Sequence, residues 1–486
     1  MLNPSMILLY YLALLPLAVL GVKHEDFKTC SQSSFCRRLR SIGTRQSEAP
    51  QTFTSPYSLG EPVVDEDGVA SWTWPLRSSL YPEINFQLQV DVLREGDGIV
   101  RIRADEVGSS TPWKRYNETA KWVLLDTEPP LDSTATVKLS TAKGTDTISY
   151  GQGLSLKIER SPFKLTQLRN GKPEIVLNDR SLFHMEHFRM KEAEKKEEYL
   201  SEGEQVVLKG GEMDRSWFEE HDKDMFEERF RTWTDSKPKG ASKLFYCRST
   251  EGHSSHMIGP EALSIDLTFP GVQHVYGLPE HASPLSLPDT TGDNARYTDP
   301  YRLFNVDIFE YLADSPMSLY GAIPLLHAHS KSHSVGVLNL VGSETWVDVR
   351  HDAKQGVKTH WMSESGILDL LLLPGPKPEQ LFEQYAILTG PTPLPPQWST
   401  AYHQCRWNYV DEADVLEVDA KFDEHDIPLD VTWLDVEYTT ERRYFDWNKN
   451  LFPDPVGMLE AVGKKFRKVS CPYLNIAKSA VYPADM

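Results

Sequence analysis

Cysteine is scarce in this chain, with five residues in 486. So few at this length exclude a disulfide scaffold. Basic charge is also short. There are 51 Lys and Arg against 70 Asp and Glu, a net charge of −19. That balance excludes the basic face of a nucleic-acid binder and a polybasic attachment to anionic membrane. Long apolar runs are missing after residue 21, where none reaches the ~18 residues of a membrane span. Metal-ligand spacing is missing as well. His274, His281 and His403 stand apart and read as structural histidines, so no metal and no cofactor is expected.

What is present starts with an address. Residues 6–21 read MILLYYLALLPLAVLG, an apolar core interrupted by Pro16 with small residues near a cut after Gly21. This predicts a signal peptide over 1–21, with an uncleaved anchor as the alternative. The compartment that follows is oxidising. Cys30 and Cys36 lie close together in the polar segment 22–50 and can pair there, whereas Cys247, Cys405 and Cys471 read as buried thiols. Asn117-Glu118-Thr119 is the single glycosylation sequon.

The length calls for two or three domains. From 51 to 375 the segments 86–93, 99–105, 154–160, 163–168, 264–269 and 334–340 alternate apolar with polar residues. That period suits half-buried antiparallel strands and predicts a large β-sandwich. A charged insertion over 191–240, with KEAEKKEE at 191–198, interrupts it as a solvated segment. Pro374-Gly375-Pro376 reads as the domain boundary. A short helix over 378–388 follows, with Leu381, Phe382, Tyr385 and Leu388 on one face, then a Pro-rich linker. Beyond it an apolar strand delivers Arg406 and Trp407, a polar amphipathic helix follows, and a second strand over 429–434 ends in Asp435 and Glu437. Two such β-then-α units predict the opening of a (β/α)₈ TIM barrel over 376–486, whose chemistry belongs at the C-terminal strand ends. The expected architecture is therefore a β-sandwich followed by the first part of a TIM barrel, left incomplete.

Several strings occur in order: FPGVQHVYGLPEH at 269–281, YRLFNVDIFEY at 301–311, YHQCRWNY at 402–409, WLDVEY at 433–438 and RRYFDWNKNLFPDP at 442–455. Together they resemble the α-glucosidases of glycoside hydrolase family 31 over roughly residues 23 to 468. FKTCSQSSFCRR at 27–38 narrows the resemblance to the branch formed by the catalytic α subunits of endoplasmic-reticulum glucosidase II. The resemblance implies a galactose-mutarotase-like sandwich, a (β/α)₈ barrel and then C-terminal β domains. It also implies a retaining α-glucosidase of the endoplasmic-reticulum lumen that trims α-1,3-linked glucose from N-linked oligosaccharides. Its implied partner is a β subunit that carries the retention signal and a lectin domain.

The implied site follows residue by residue. Asp435 in WLDVEY matches the aspartate that hydrogen-bonds the outer hydroxyls of the −1 glucose, and an ionised carboxylate is an acceptor suited to clamp two hydroxyls. Asp307 in LFNVD matches a sandwich-loop aspartate that reaches toward the sugar. Trp407 in CRWNY matches an aromatic wall, and Val436 its apolar lining. Plainer readings stand beside these. Asp435 and Glu437 could end a strand in solvent, Asp307 could be an exposed strand residue, and Trp407 could be core. Arg406 reads as a structural ion-pair partner.

The chain departs from the family where the reaction takes place. A retaining glycosidase needs a nucleophile and an acid/base. The family nucleophile sits in a WxDMNE-type motif that this sequence does not contain, so no catalytic carboxylate is assigned here. Residues 376–486 supply about 110 of the roughly 250 residues of a whole barrel, and 469–486, VSCPYLNIAKSAVYPADM, does not continue the pattern of the third strand. The expectation is an α-glucosidase whose reacting groups lie outside these residues. The alternative is an inactive carbohydrate-binding or subunit-interacting fragment.

Overall fold

The computed structural model describes residues 27–64, 70–108, 114–134, 137–151, 153–187, 261–293, 295–306, 308, 311–443 and 446–470. The signal segment, the charged insertion, Asp307, Cys247 and Cys471 lie outside them. The chain divides into two compact units, Met1–Gly390 and Pro391–Met486.

The first unit is built on two open antiparallel sheets. One runs Tyr57–Leu59, Ser71–Ser78, Phe86–Val92, Val100–Glu106, Leu368–Leu373, Ser334–Asn339, Leu325–His329, His274–Gly277. The other runs Tyr301–Leu303, Thr345–Asp352, Gly356–Ser363, Leu263–Phe269, Lys172–Leu177, Phe163–Arg169, Leu154–Arg160, Thr145–Tyr150, Lys138–Ala142. All six segments that alternate in sequence are strands. Leu154–Arg160 shows why: Leu154, Leu156 and Ile158 are buried while Ser155, Lys157 and Glu159 are only partly so. Residues of both inner faces form one core, with Trp74, Leu88 and Ile102 from the first sheet and Leu156, Ile158 and Leu165 from the second. The Trp74 indole also bridges the sheets, donating at 2.9 Å to Asp146, which pairs with Arg160. A buried carboxylate between two donors of this kind is satisfied rather than orphaned.

A helix over Ser34–Glu48 packs on the second sheet through Phe35, Leu39 and Ile42, in a cluster with Leu182, Trp346 and Met362. The Cys30–Cys36 disulfide joins the start of this helix to the turn before it. Arg38, on the same helix, forms a two-pronged ion pair with Glu186.

The boundary falls later than Pro374–Pro376. The helix Pro378–Thr389 belongs to the first unit, with Leu381, Gln384 and Leu388 buried. Leu381 lies 3.0 Å from where a Cβ on Gly336 would stand, so the helix packs closely on strand Ser334–Asn339 and a larger residue there would make the leucine shift. Gln384 fixes the turn, accepting from the Gly375 amide at 2.9 Å and donating to the Gly96 carbonyl at 2.8 Å. Phe382, expected on the packed face, is instead exposed, because the polar Gln384 takes the inward position.

The second unit has a three-stranded parallel sheet, with His403–Gln404 beside Val431–Trp433 beside Lys468–Ser470. Each crossover carries a helix, as parallel strands require. Asp411 caps Glu412–Glu424 by accepting from the Asp414 amide at 2.9 Å, and Asp454 caps Pro455–Gly463 by accepting from the Gly457 amide at 3.0 Å. A third strand was in doubt because 469–486 departs from the family pattern, yet Lys468–Ser470 pairs in register with Val431–Trp433. Tyr409, Val415, Leu434, Tyr438, Phe452 and Met458 form the core of this unit.

Candidate functional site

The candidate site lies at the C-terminal ends of the first two strands of the second unit. Gln404 pairs with Thr432, and Trp407 and Asp435 each lie three residues further along. Both residues therefore follow the C-terminal ends of neighbouring parallel strands at the same sequence offset, the end at which barrel enzymes carry their chemistry.

Asp435 is exposed. It does not continue an extended strand. The chain turns there, and Asp435 caps a single 3₁₀ turn over Val436–Tyr438, its Oδ1 accepting from the Val436 amide at 2.8 Å. Asn and Asp favour such turns because the short side chain can satisfy a nearby amide. Glu437 consequently sits within the turn rather than at the end of a strand. Val436 is half-buried, and its carbonyl accepts from the Thr439 hydroxyl at 2.6 Å. Tyr438 drops into the core beside Leu434, so the exposed Asp435 is held between two buried anchors.

Trp407 is 85% exposed. Other large apolar side chains are similarly open, among them Trp122 at 74% and Phe466 at 85%, so exposure by itself assigns Trp407 no role. It is not core. The neighbouring Arg406 forms an ion pair with Asp414 and lies 4.6 Å from the centre of the Tyr409 ring. The guanidinium lowers the pKa of Asp414, with a further contribution from the Val410 amide. Cys405 is an exposed free thiol, not a buried one, because the two-residue strand ends before it.

His403 accepts from the Trp433 indole at 2.8 Å, and His281 contacts the carbonyls of Leu278 and Arg302 at 2.6 and 2.9 Å. His274 meets the Ser286 hydroxyl at 3.0 Å. Asn117 is exposed, just before the short helix Thr119–Val123. The first unit also holds a cavity of about 490 Å³ lined in part by Ile42, Phe53, Leu80 and Phe183, and a polar one of about 320 Å³ lined in part by Arg180, Arg350 and Lys358. Neither includes a residue singled out from the sequence.

Residues 87–348 match the glycosyl hydrolase 31 N-terminal galactose mutarotase-like domain, and 392–484 match the glycosyl hydrolases family 31 TIM-barrel domain. The chain belongs to glycoside hydrolase family 31. Its sandwich and the opening of its barrel are the family's own. Among relatives in this family, the chain is 36% identical to the glucosidase 2 subunit alpha of Schizosaccharomyces pombe, over 92% of this chain and 46% of that protein. A crystal structure of the ER glucosidase II heterodimeric complex, catalytic subunit with the binding domain of the regulatory subunit, superposes with a TM-score of 0.72 at 33% identity. That match covers 92% of this chain and 46% of the other. The α3-Glc2-bound glucosidase II alpha subunit gives a TM-score of 0.73 at 33% identity with the same coverages. This family 31 chain thus spans about half the length of the relatives it matches.

Sequence reasoning found the motifs but missed Asp414. Arg406 lies in the loop after His403–Gln404 and Asp414 in the helix Glu412–Glu424, so no single periodic element links them and no pattern flagged the pair. The signal that could have found it is the acidic residue at the third position of a capped helix.

Proposed function

We propose that this chain carries the glucose-binding strand ends of an α-glucosidase that trims α-1,3-linked glucose from N-linked glycans in the endoplasmic-reticulum lumen. In this reading Asp435 accepts hydrogen bonds from sugar hydroxyls. Trp407 packs against the sugar's C–H face, with Val436 as apolar lining and Asp307 as a further ligand. A regulatory β subunit is the partner, and a signal peptide over 1–21 is the route of entry. The nucleophile and acid/base lie outside these 486 residues, and the chain alone does not turn over glucosides.

One observation carries the reading. Two residues matched to sugar-binding motifs, an exposed carboxylate and an exposed indole, follow the C-terminal ends of neighbouring parallel strands at the same sequence offset. An exposed indole beside an exposed carboxylate suits a sugar, whose C–H face and hydroxyls need both. The second reading, an inactive carbohydrate-binding fragment, shares that site.

Two measurements test the proposal. The purified chain, free of host glucosidase, should bind an α-1,3-linked glucose disaccharide in a ligand-observed NMR titration and release no phenol from an aryl α-glucoside. Asp435→Ala and Trp407→Ala should each weaken binding by about tenfold or more, the scale of one charge-assisted bond or one stacked ring. Turnover abolished by Asp435→Asn would overturn the assignment of the reacting groups, and binding indifferent to both alanine variants would overturn the site. The second measurement concerns compartment. Expressed in a secretory host, the chain should lose about 21 residues and carry one glycan, removed by endoglycosidase and abolished by Asn117→Gln. An intact Met1, or no mass shift, would count against luminal entry.

A further inference from the structure

The loop that presents Trp407 is closed by a single carboxylate. Asp414 sits in the first turn of the helix Glu412–Glu424, whose cap is Asp411. In a capping box a side chain at this position reaches back to the cap residue's own amide. Asp414 reaches one residue further. Its Oδ2 accepts from the Val410 amide at 2.9 Å and from the Arg406 guanidinium, so it ties both ends of segment 406–410. Between those ends lie two rings of opposite fate. Tyr409 is 3% exposed and Trp407 is 85% exposed. Arg406 lies over the Tyr409 ring, and Tyr409 packs in the same core as Leu434 and Tyr438, which bracket Asp435. Exposed ion pairs contribute little stability by themselves. The Arg406 side of this one is exposed too, so what it contributes is geometry, holding a loop between its two ends.

We propose that Asp414 is a positioning residue for the sugar site. Through Arg406 and the Val410 amide it locks segment 406–410 onto Tyr409 and so sets Trp407 in register with Asp435. The proposal rests on the sugar-binding reading of Trp407 and Asp435, and it assigns to Asp414 no contact with substrate. Without the clamp the loop retains its sequence and its anchor but not its orientation. The indole then samples positions in which a bound glucose ring is no longer flanked, and affinity falls although both ligating residues are intact.

A double-mutant cycle on the full chain separates positioning from general support. Affinity for an α-1,3-linked glucose disaccharide is measured by NMR titration for wild type, Asp414→Ala, Trp407→Ala and the double variant. Asp414→Ala should lose about as much as Trp407→Ala, roughly tenfold, and the double variant should be no worse than Trp407→Ala alone. Additive losses, or wild-type affinity in Asp414→Ala, overturn the proposal. Hydrogen exchange provides a readout that needs no sugar. The Val410 amide should exchange at least about tenfold faster in Asp414→Ala, with amides in the middle of Glu412–Glu424 unchanged. Asp414→Asn, which keeps an acceptor for Val410 but loses the charge, should restore Val410 protection and only part of the affinity. Unchanged Val410 exchange sinks the clamp whether or not sugar binds. Faster exchange with no wild-type binding upholds the clamp as a loop lock and overturns both its proposed service to a sugar and the sugar-site reading.

Discussion

Glu186→Gln should destabilise the first unit by about 3–5 kcal/mol, the cost of breaking a buried ion pair from one side. Glu186 is fully buried and Arg38 nearly so. The guanidinium donates Nε to Oε1 at 2.6 Å and Nη2 to Oε2 at 2.8 Å, and Oε2 also accepts from the Ala262 amide at 3.1 Å. A neutral amide keeps the shape, but it leaves a buried cation facing one acceptor and one donor. Two arginines accompany the apolar contact of Phe35, Leu39 and Ile42 between the helix Ser34–Glu48 and the sheet: Arg38, the more buried, on Glu186, and Arg40 on Asp348. The effect should therefore appear as early loss of this helix in hydrogen exchange as well as a lower midpoint in urea. The paired replacement Arg38→Met with Glu186→Leu should recover much of the loss, because it removes both charges together. A Glu186→Gln cost below about 1 kcal/mol, the value of an exposed pair, would show that the contact contributes little.

Strands were legible where one face is wet and the other dry. Phe86–Val92 and Leu154–Arg160 alternate because their outward residues meet solvent. Leu368–Leu373 was not legible as a strand. Every residue in it is buried, for it runs between Val100–Glu106 and Ser334–Asn339 near the middle of its sheet, and the helix Pro378–Thr389 also packs on it. A run of leucines bears no period, and its partners lie far away in sequence. The boundary was misplaced for a related reason. Pro374-Gly375-Pro376 is a real turn, but a turn does not reveal that the helix after it folds back onto the sheet it has just left. At the candidate site, the family motifs singled out Trp407 and Asp435. What they could not give was conformation. Asp435 and Glu437 were expected at the end of a strand, but the chain turns at Asp435, whose carboxylate caps the turn that holds Glu437. Asp414 was invisible because its partners are chosen by the loop's shape and not by spacing.

Acid should destabilise the first unit between pH 6.5 and 4, and two buried histidines are the reason. Burial pushes His184 down from 6.5 to about 4, opposed by Glu186 and assisted by Arg38, Arg45 and Arg115. Burial also pushes His360 well below its ordinary value, assisted by Arg180, Arg40 and His184 itself. Both imidazoles lie near the helix Ser34–Glu48: His184 is 4% exposed, and the His360 ring stands 3.3 Å from where a Cβ on Gly43 would be. The sign follows from proton binding. At pH 7 both rings are neutral in the folded and the unfolded chain. As pH falls below 6.5 the unfolded chain takes up protons that the folded chain refuses, so folding weakens, and the loss from a site saturates only below its folded pKa. For His184 the interval from 6.5 to about 4 corresponds to about 3 kcal/mol by pH 4. Buried carboxylates act in the other direction. Asp266, Asp348 and Asp369 are raised by burial, so the folded chain holds their protons more firmly and gains stability as they titrate. A comparison with His184→Gln cancels that contribution, because the carboxylates are common to both chains. Urea unfolding at pH 7 and pH 4.5 should show the variant losing about 2–3 kcal/mol less than wild type over that interval. Equal losses would mean that His184 is protonated in the folded state at little cost, and the burial account of its pKa would fail.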